Sequence, residues 1–305
     1  MNRFHRRSLL TGAAGLLAGG FVEWLGLRGD FDHRDSVPRP RDARARYLKS
    51  IDALAAGDDA IVHVGHSTHL LSLGGARVLT DPWFYDPAHG GMRHTRGPAV
   101  RAEDAGPLDL IAITHEHPDH LDPMALDRLD KRALCVLPSA TLAARVRALG
   151  FDQVEHLAPY RSLEHAGVRV TAVPALHDVH EVGYVLEHDA ARVYFAGDTA
   201  VHGDLQVIAE RFTPTAAILP VDGTRLRGDR RWVMDPAEAA DAARVLGAAL
   251  VMPSHADARF TDPVLRLWAE VIDGAAGDFA ARVAQLPGVR CAVPAPGERV
   301  KLNPA

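Results

Sequence analysis

The chain has 305 residues, 47% of them hydrophobic and 24% charged, with a formal net charge of -5. That length holds one α/β sandwich with a well-buried core and leaves no room for a sizeable accessory domain. The composition excludes a disordered chain, and the acidic balance argues against a nucleic-acid groove, which needs a basic field to meet phosphates. Lysine occurs only at Lys49, Lys131 and Lys301. With so much alanine, the arginine bias reads as genomic base composition.

The chain opens with Arg6-Arg7-Ser8-Leu9-Leu10 before the weakly apolar Thr11-Gly12-Ala13-Ala14-Gly15-Leu16-Leu17-Ala18-Gly19-Gly20. A paired arginine ahead of such a stretch resembles a twin-arginine export signal. It predicts an exported protein, periplasmic or membrane-anchored, and a cytoplasmic one if the segment is not a signal. Ala18-Gly19-Gly20 is a passable cleavage site. An uncleaved anchor through Leu27 is the alternative, although Glu23 makes a membrane span uncomfortable. Residues 1–27 are therefore read as signal or anchor, 28–43 as linker and 44–305 as one folded domain.

Beyond the linker, strand and helix patterns alternate. A helix is expected over 44–56, then two strands, a glycine turn and a third strand through His63-Val64-Gly65-His66, Leu70-Leu71-Ser72-Leu73 and Val78-Leu79-Thr80-Asp81. Residues 82–107 read as a long irregular loop carrying Trp83, Phe84, Tyr85, His89 and His94, a place for a lid or substrate wall. After the strand 108–113, helices at 123–129 and 140–149 flank a strand holding Cys135. Strands then lead to His177, Tyr184 and Asp198, followed by a helix near 205–210 and a strand at 216–220. A loop with Arg225, Arg227, Arg230 and Arg231 precedes a helix at 236–246 and the strand ending at His255. Residues 261–287 read as helical, and the tail 289–302 as an edge strand. Cys135 and Cys291 are expected to be buried free thiols, neither at metal-ligand spacing.

The chemistry concentrates in Thr114-His115-Glu116-His117-Pro118-Asp119-His120, directly behind the strand Leu108-Asp109-Leu110-Ile111-Ala112-Ile113. Imidazoles and a carboxylate are the ordinary ligands of zinc and its neighbours. The spacing H-x-H-x-D-H lets His115 and His117 hold one ion while Asp119 and His120 hold a second. More ligands are needed, and His177, Asp198 and His255 each follow an apolar strand-like run. His180 is the one rival to His177.

This ordered set resembles the metallo-β-lactamase superfamily of hydrolases, whose signature is H-x-H-x-D-H followed by a distant His, Asp and His. Gly65-His66-Ser67-Thr68, Leu79-Thr80-Asp81-Pro82 and Val233-Met234-Asp235-Pro236-Ala237-Glu238-Ala239-Ala240 resemble one branch, with ascorbate-6-phosphate lactonase-like proteins and N-acyl-phosphatidylethanolamine phospholipase D. The likeness covers roughly residues 60–257. It implies a four-layer αββα sandwich with the site at one sheet edge. It puts His115, His117 and His177 on a first divalent ion, Asp119, His120 and His255 on a second, and Asp198 between them. Zn2+ is the expected metal, with Mn2+ an alternative. Two such ions can share a hydroxide and lower its pKa towards neutrality, and Asp119 can orient it. Asp81 is expected beside the site, holding a ligand loop. His66 could bind substrate, and Arg225 and its neighbours could bind an anionic group.

The implied activity is hydrolysis of an ester, lactone or phosphodiester bond in a small-molecule or lipid substrate. Membrane contact would come only through the N-terminal segment, with no nucleic-acid partner. An iron-dependent oxidoreductase uses the same scaffold, but usually with a flavin domain. A non-catalytic metal-binding protein would be expected to have lost ligands.

Overall fold

The computed structural model describes residues 39–54, 59–88, 91–228 and 231–302. The expected export signal, most of the linker, His89 and Arg230 lie outside the described residues.

Strands with apolar side chains on both faces dominate the middle of the chain, and both faces must therefore be covered. They form two seven-stranded sheets. The first contains β1 (Ala60–Gly65), β2 (Thr68–Leu73), β3 (Ala76–Thr80), β5 (Leu110–Ala112), β6 (Leu134–Leu137), β7 (Val154–His156) and β18 (Arg299–Lys301), in the order β18-β1-β2-β3-β5-β6-β7. The second contains β8 (Ser162–His165), β9 (Val168–Pro174), β10 (Val182–His188), β11 (Ala191–Phe195), β12 (Ala216–Pro220), β14 (Leu250–Ser254) and β17 (Arg290–Cys291), in the order β17-β14-β12-β11-β10-β9-β8.

The period-two alternation of each strand sorts its side chains between layers. Ile61, Leu71 and Val78 of the first sheet meet Val170, Tyr184, Phe195, Ile218 and Met252 of the second in a shared central core. The next residues along the same strands, such as Val62, Leu70 and Leu79, face outwards. They pack against α1 (Ala43–Leu54), α2 (Pro123–Arg128) and α3 (Ala140–Ala148) through Tyr47, Leu126 and Val146. On the far side, Val185, Tyr194, Leu219 and Val251 are covered by α4 (Asp204–Phe212), α5 (Pro236–Leu246) and α7 (Ala275–Val283). The result is the four-layer αββα sandwich. Each fully buried Leu, Ile, Val or Phe contributes about 1.5–3 kcal/mol, spread over three large cores and a small cluster around Trp83 and Met92.

Strand direction is what matters for the site. β3 runs parallel to β5, and β11, β12 and β14 run parallel to one another. β9 is antiparallel to β10 and β10 to β11, so β9 shares their direction. The C-terminal ends of β9, β11, β12 and β14 therefore lie on one rim, where ligands commonly bind in α/β sheets.

Three segments depart from the sequence expectation. The supposed irregular loop contains β4 (Met92–His94), paired antiparallel with β15 (Ala258–Phe260). The supposed helix over 261–287 is broken into α6 (Leu265–Trp268), β16 (Ala269–Glu270) and α7. Pairing of β16 with β13 (Arg225–Leu226) pulls Ala269 and Glu270 into extended backbone, and Gly274 at φ 75° separates the strand from α7. The tail adds two edge strands, β17 on one sheet and β18 on the other.

Cys135 and Cys291 are free thiols, one buried and one half-buried. Burial pushes the Cys135 thiol up to about 12 and the Cys291 thiol up to about 11. Because only the thiolate is nucleophilic, folded protein near pH 8 is expected to resist alkylation by iodoacetamide at both positions, while denatured protein reacts readily. Rapid labelling of Cys135 in the folded state, read by peptide mass, would contradict this packing.

Candidate metal centre

The turn after β5 folds tightly because His120 N and Leu121 N both donate to the His117 carbonyl, at 2.9 and 2.8 Å. Asp122 then caps α2 through Met124 N at 2.9 Å and also accepts from Phe84 N and Tyr85 N, fixing the turn to the loop after β3. The H-x-H-x-D-H residues are thereby wound towards the rim. His66 (φ 51°), Asp81 (φ 32°) and His255 (φ 52°) have left-handed backbones. Such conformations cost on the order of 1–3 kcal/mol in non-glycine residues and concentrate at functional sites.

Two groups of ligand atoms result. His117 Nδ1 lies 3.0 Å from His115 Nε2 and 3.2 Å from His177 Nε2. In the second group, His120 Nε2 and His255 Nε2 lie 3.1 and 2.9 Å from Asp198 Oδ2, and 3.6 and 3.5 Å from Asp119 Oδ2. His66 Nε2 joins it at 3.7 Å from Asp119 Oδ2. Asp198 also groups with His115 and His120, their ligand atoms all within 4.8 Å, so it lies between the two sets. His180 is directed elsewhere, with Nε2 3.2 Å from the Pro138 carbonyl.

Behind the inward nitrogens stand second partners. His120 Nδ1 is 2.7 Å from Asp81 Oδ2, and Asp81 also accepts from Thr114 N and Thr114 Oγ1 at 2.7 and 2.8 Å. His255 Nδ1 is 2.9 Å from Asp222 Oδ2. His115 Nδ1 is 3.3 Å from Glu181 Oε1, which also accepts from Asp198 N at 2.7 Å. His177 Nδ1 is 3.2 Å from the Trp232 carbonyl. Partners of this kind orient metal-binding histidines. Gly197, at φ 68°, makes room for one of them, since a Cβ there would overlap the Glu181 carboxylate.

The donor set fits divalent ions. Tetrahedral zinc with Zn–N bonds of about 2.0–2.1 Å holds its nitrogens about 3.3 Å apart, close to the spacing of the His115, His117 and His177 trio. Both ring nitrogens of His66 and Asp198 Oδ1 are buried without a hydrogen-bond partner. Buried polar atoms are normally partnered, and a cation would satisfy those of the second group.

Glu181, Asp222 and the Trp232 carbonyl were not singled out from sequence. Asp222 carried a usable signal: it follows an apolar strand, as Asp198 does. Glu181 merely precedes β10, and a backbone carbonyl has no sequence signature. Arg225 is engaged by Glu270, its Nε 2.6 Å from Oε2.

Electrostatics without metal show how the cluster balances itself. Burial is the largest single influence and disfavours a charged His120 or His255, but the carboxylates together outweigh it: Asp198, Asp119 and Asp81 at His120, and Asp198, Asp222 and Asp119 at His255. Both imidazoles are held well above their ordinary pKa. Burial also opposes ionisation of Asp198, yet His120 and His255 hold it well below the usual carboxylate range. Burial raises Asp81 to about 6 and Glu181 to about 7, and lowers His66 to about 4. His115 is driven well below the ordinary value by burial and by His120 and His177.

Residues 76–256 match the model of the beta-lactamase superfamily domain. Over 210 residues the chain is 32% identical to a UPF0173 metal-dependent hydrolase of Korarchaeum cryptofilum, spanning 68% of this chain and 85% of that protein. In fold it is similar to a metallo hydrolase from the archaeon Ignicoccus hospitalis, with TM-score 0.62, 23% identity and coverage of 79% and 97% of the two chains. It is also similar to isothiocyanate hydrolase from Delia radicum gut bacteria, with TM-score 0.65, 20% identity and coverage of 79% and 98%. The chain belongs to the beta-lactamase superfamily and is a metal-dependent hydrolase. The finer likeness to the lactonase and phospholipase D branch rests on sequence motifs alone.

Chelator-stripped protein is expected to lose stability as pH rises above about 6.5. The folded pKa values of His120 and His255 are raised, so their contribution is fully present below the unfolded value of about 6.5 and is lost as pH rises through the folded values. His66 and His115 are lowered, neutral in both states above about pH 7, and contribute nothing to this slope, whereas Glu181, raised to about 7, adds to the fall as it ionises. The melting temperature of stripped protein measured across that window should fall; a rise would contradict the charge assignment.

Proposed function

We propose that the protein is a binuclear metallo-hydrolase, with zinc as the resident metal, that cleaves an ester, lactone or phosphodiester bond in a small-molecule or lipid substrate. The observation that carries this is the position of Asp198 between two imidazole groups. His115, His117 and His177 would hold one ion; His120, His255 and Asp119 would hold the other, with Asp198 shared. Divalent ions bound there would supply Lewis-acid polarisation of a substrate oxygen and a lowered pKa for a bound water.

The chain's own residues supply the rest. Asp119 Oδ2 lies within 3.7 Å of His66, His120 and His255, placed to orient the attacking water and take up its proton. Asp81, Asp222 and Glu181 hold the imidazoles in position, so little reorganisation accompanies reaction. His66 is buried against Asp119 and His255, its ring centroid 4.2 Å from that of His255. It would reach a substrate only at the metal-facing end. Access is from the side of His117 and Asp178, whose side chains are 16% and 29% exposed while those of His115 and His120 are fully buried. Nothing in the arrangement requires a protein nucleophile, and Cys135 lies in the outer core of the first sheet.

Export by a twin-arginine-like signal belongs to the same proposal, supported by Arg6-Arg7 and the apolar run that follows. It would let ions load before the folded chain leaves the cytoplasm.

A side-by-side screen of metal-loaded protein with bis(p-nitrophenyl) phosphate, simple lactones and a phospholipid tests this reading. Turnover of one class is expected. His115→Ala and Asp198→Ala should each lower it by about 10²-fold or more and reduce bound metal, with an unchanged circular dichroism spectrum. Full activity in both variants would refute the assignment.

A further inference from the structure

Among the described residues of the arginine loop, Arg225, Arg227 and Arg231 each have a carboxylate partner within the fold. Arg225 and Arg227 lie 2.6 and 3.4 Å from Glu270, and Arg231 lies 3.1 Å from Asp235 and 3.6 Å from Glu238. Arg93, Arg259 and Arg266 are different: all three are exposed, and among the described residues no carboxylate forms an ion pair with any of them.

These three are gathered in one place. Arg259 and Arg266 line a single cleft of about 430 Å³ together with Thr95, Phe260 and Asp273. Arg93 stands directly opposite Arg259 in the β4–β15 ladder. Like charges facing each other across antiparallel strands repel, and a chain with more acidic than basic residues had carboxylates available to relieve it. Asp273 lines the cleft but closes on neither guanidinium. The cleft has the volume of a small-molecule site, and guanidinium forks match phosphate and carboxylate oxygens.

Both walls are tied to the metal rim. On one side, Thr95 N donates to the Asp257 carbonyl at 2.7 Å, and Arg259 is four residues beyond His255, so their Cα atoms are at most about 14 Å apart. On the other, Ile272 N donates to the Asp222 carbonyl at 2.8 Å, and Asp222 Oδ2 is 2.9 Å from His255 Nδ1.

We propose that this cleft is an anion-binding subsite, with Arg259 and Arg266 as its principal donors and Arg93 reinforcing the field. It would receive the phosphate or carboxylate end of a substrate whose scissile bond reaches the metal rim. That last step rests on the hydrolase reading; anion binding itself does not.

Calorimetric titration of the metal-loaded protein with inorganic phosphate and, separately, with glutarate tests it and distinguishes the two anions. The Arg259→Gln/Arg266→Gln double variant is expected to lose about tenfold or more in affinity for the preferred anion. Its metal content and melting temperature should be unchanged, and Arg93→Gln should show a smaller loss. Unchanged affinity in the double variant, or no binding of either anion to the parent protein, would overturn the proposal. Arginine-dependent binding in a protein that hydrolyses nothing in the screen would uphold the subsite and refute the hydrolase reading instead.

Discussion

Asp198 sits 2.9 Å from one imidazole and 3.1 Å from another, with almost no solvent exposure. A buried carboxylate is costly unless positive charge compensates it, and here a second carboxylate, Asp119, reaches the same two imidazoles. Without metal, His120 and His255 meet that need by taking protons. In the proposed metal-bound form the same imidazoles would be neutral ligands, and the positive charge would move to the centre of the cluster. One electrostatic demand thus accounts for the ligand set and for its dependence on pH.

The sandwich serves this demand. Its two sheets bring strands of common direction to one rim, so residues separated by more than a hundred positions converge without long loops. Strained backbones at His66, Asp81 and His255 are held by well-packed strands that end just before them. Asp81, Asp222, Glu181 and the Trp232 carbonyl fix ring orientation from behind, which leaves the inward-facing nitrogens preorganised. The β4–β15 and β13–β16 pairs extend the same rim outwards to the arginine-lined cleft.

Much of this was legible from local chemistry. The helix at Pro236–Leu246 appears as expected because Asp235 and Glu238 form a capping box and Gly247 ends it in a left-handed conformation. The ligand candidates stood out because polar residues directly after apolar strands must have somewhere to point. What stayed hidden depends on partners remote in sequence. β8 alternates exposed and half-buried residues and carries little apolar signal. The break at Ala269 follows from pairing with Arg225 and Leu226, which overrides helix propensity. The Glu270 partner of Arg225 is 45 residues away in sequence, and no local pattern announces it. Asp222 and Glu181 acquire a role only when histidines from other segments arrive beside them.

Sharing of Asp198 by two ions is the proposal on which the hydrolase mechanism rests. Anomalous diffraction from crystals of the as-purified protein, collected at the zinc edge, tests it most directly. Two peaks about 3.5 Å apart are expected. One should bond His115 Nε2, His117 Nδ1 and His177 Nε2, the other His120 Nε2 and His255 Nε2, with Asp198 contacting both. A single peak, or peaks away from these nitrogens, would contradict the account.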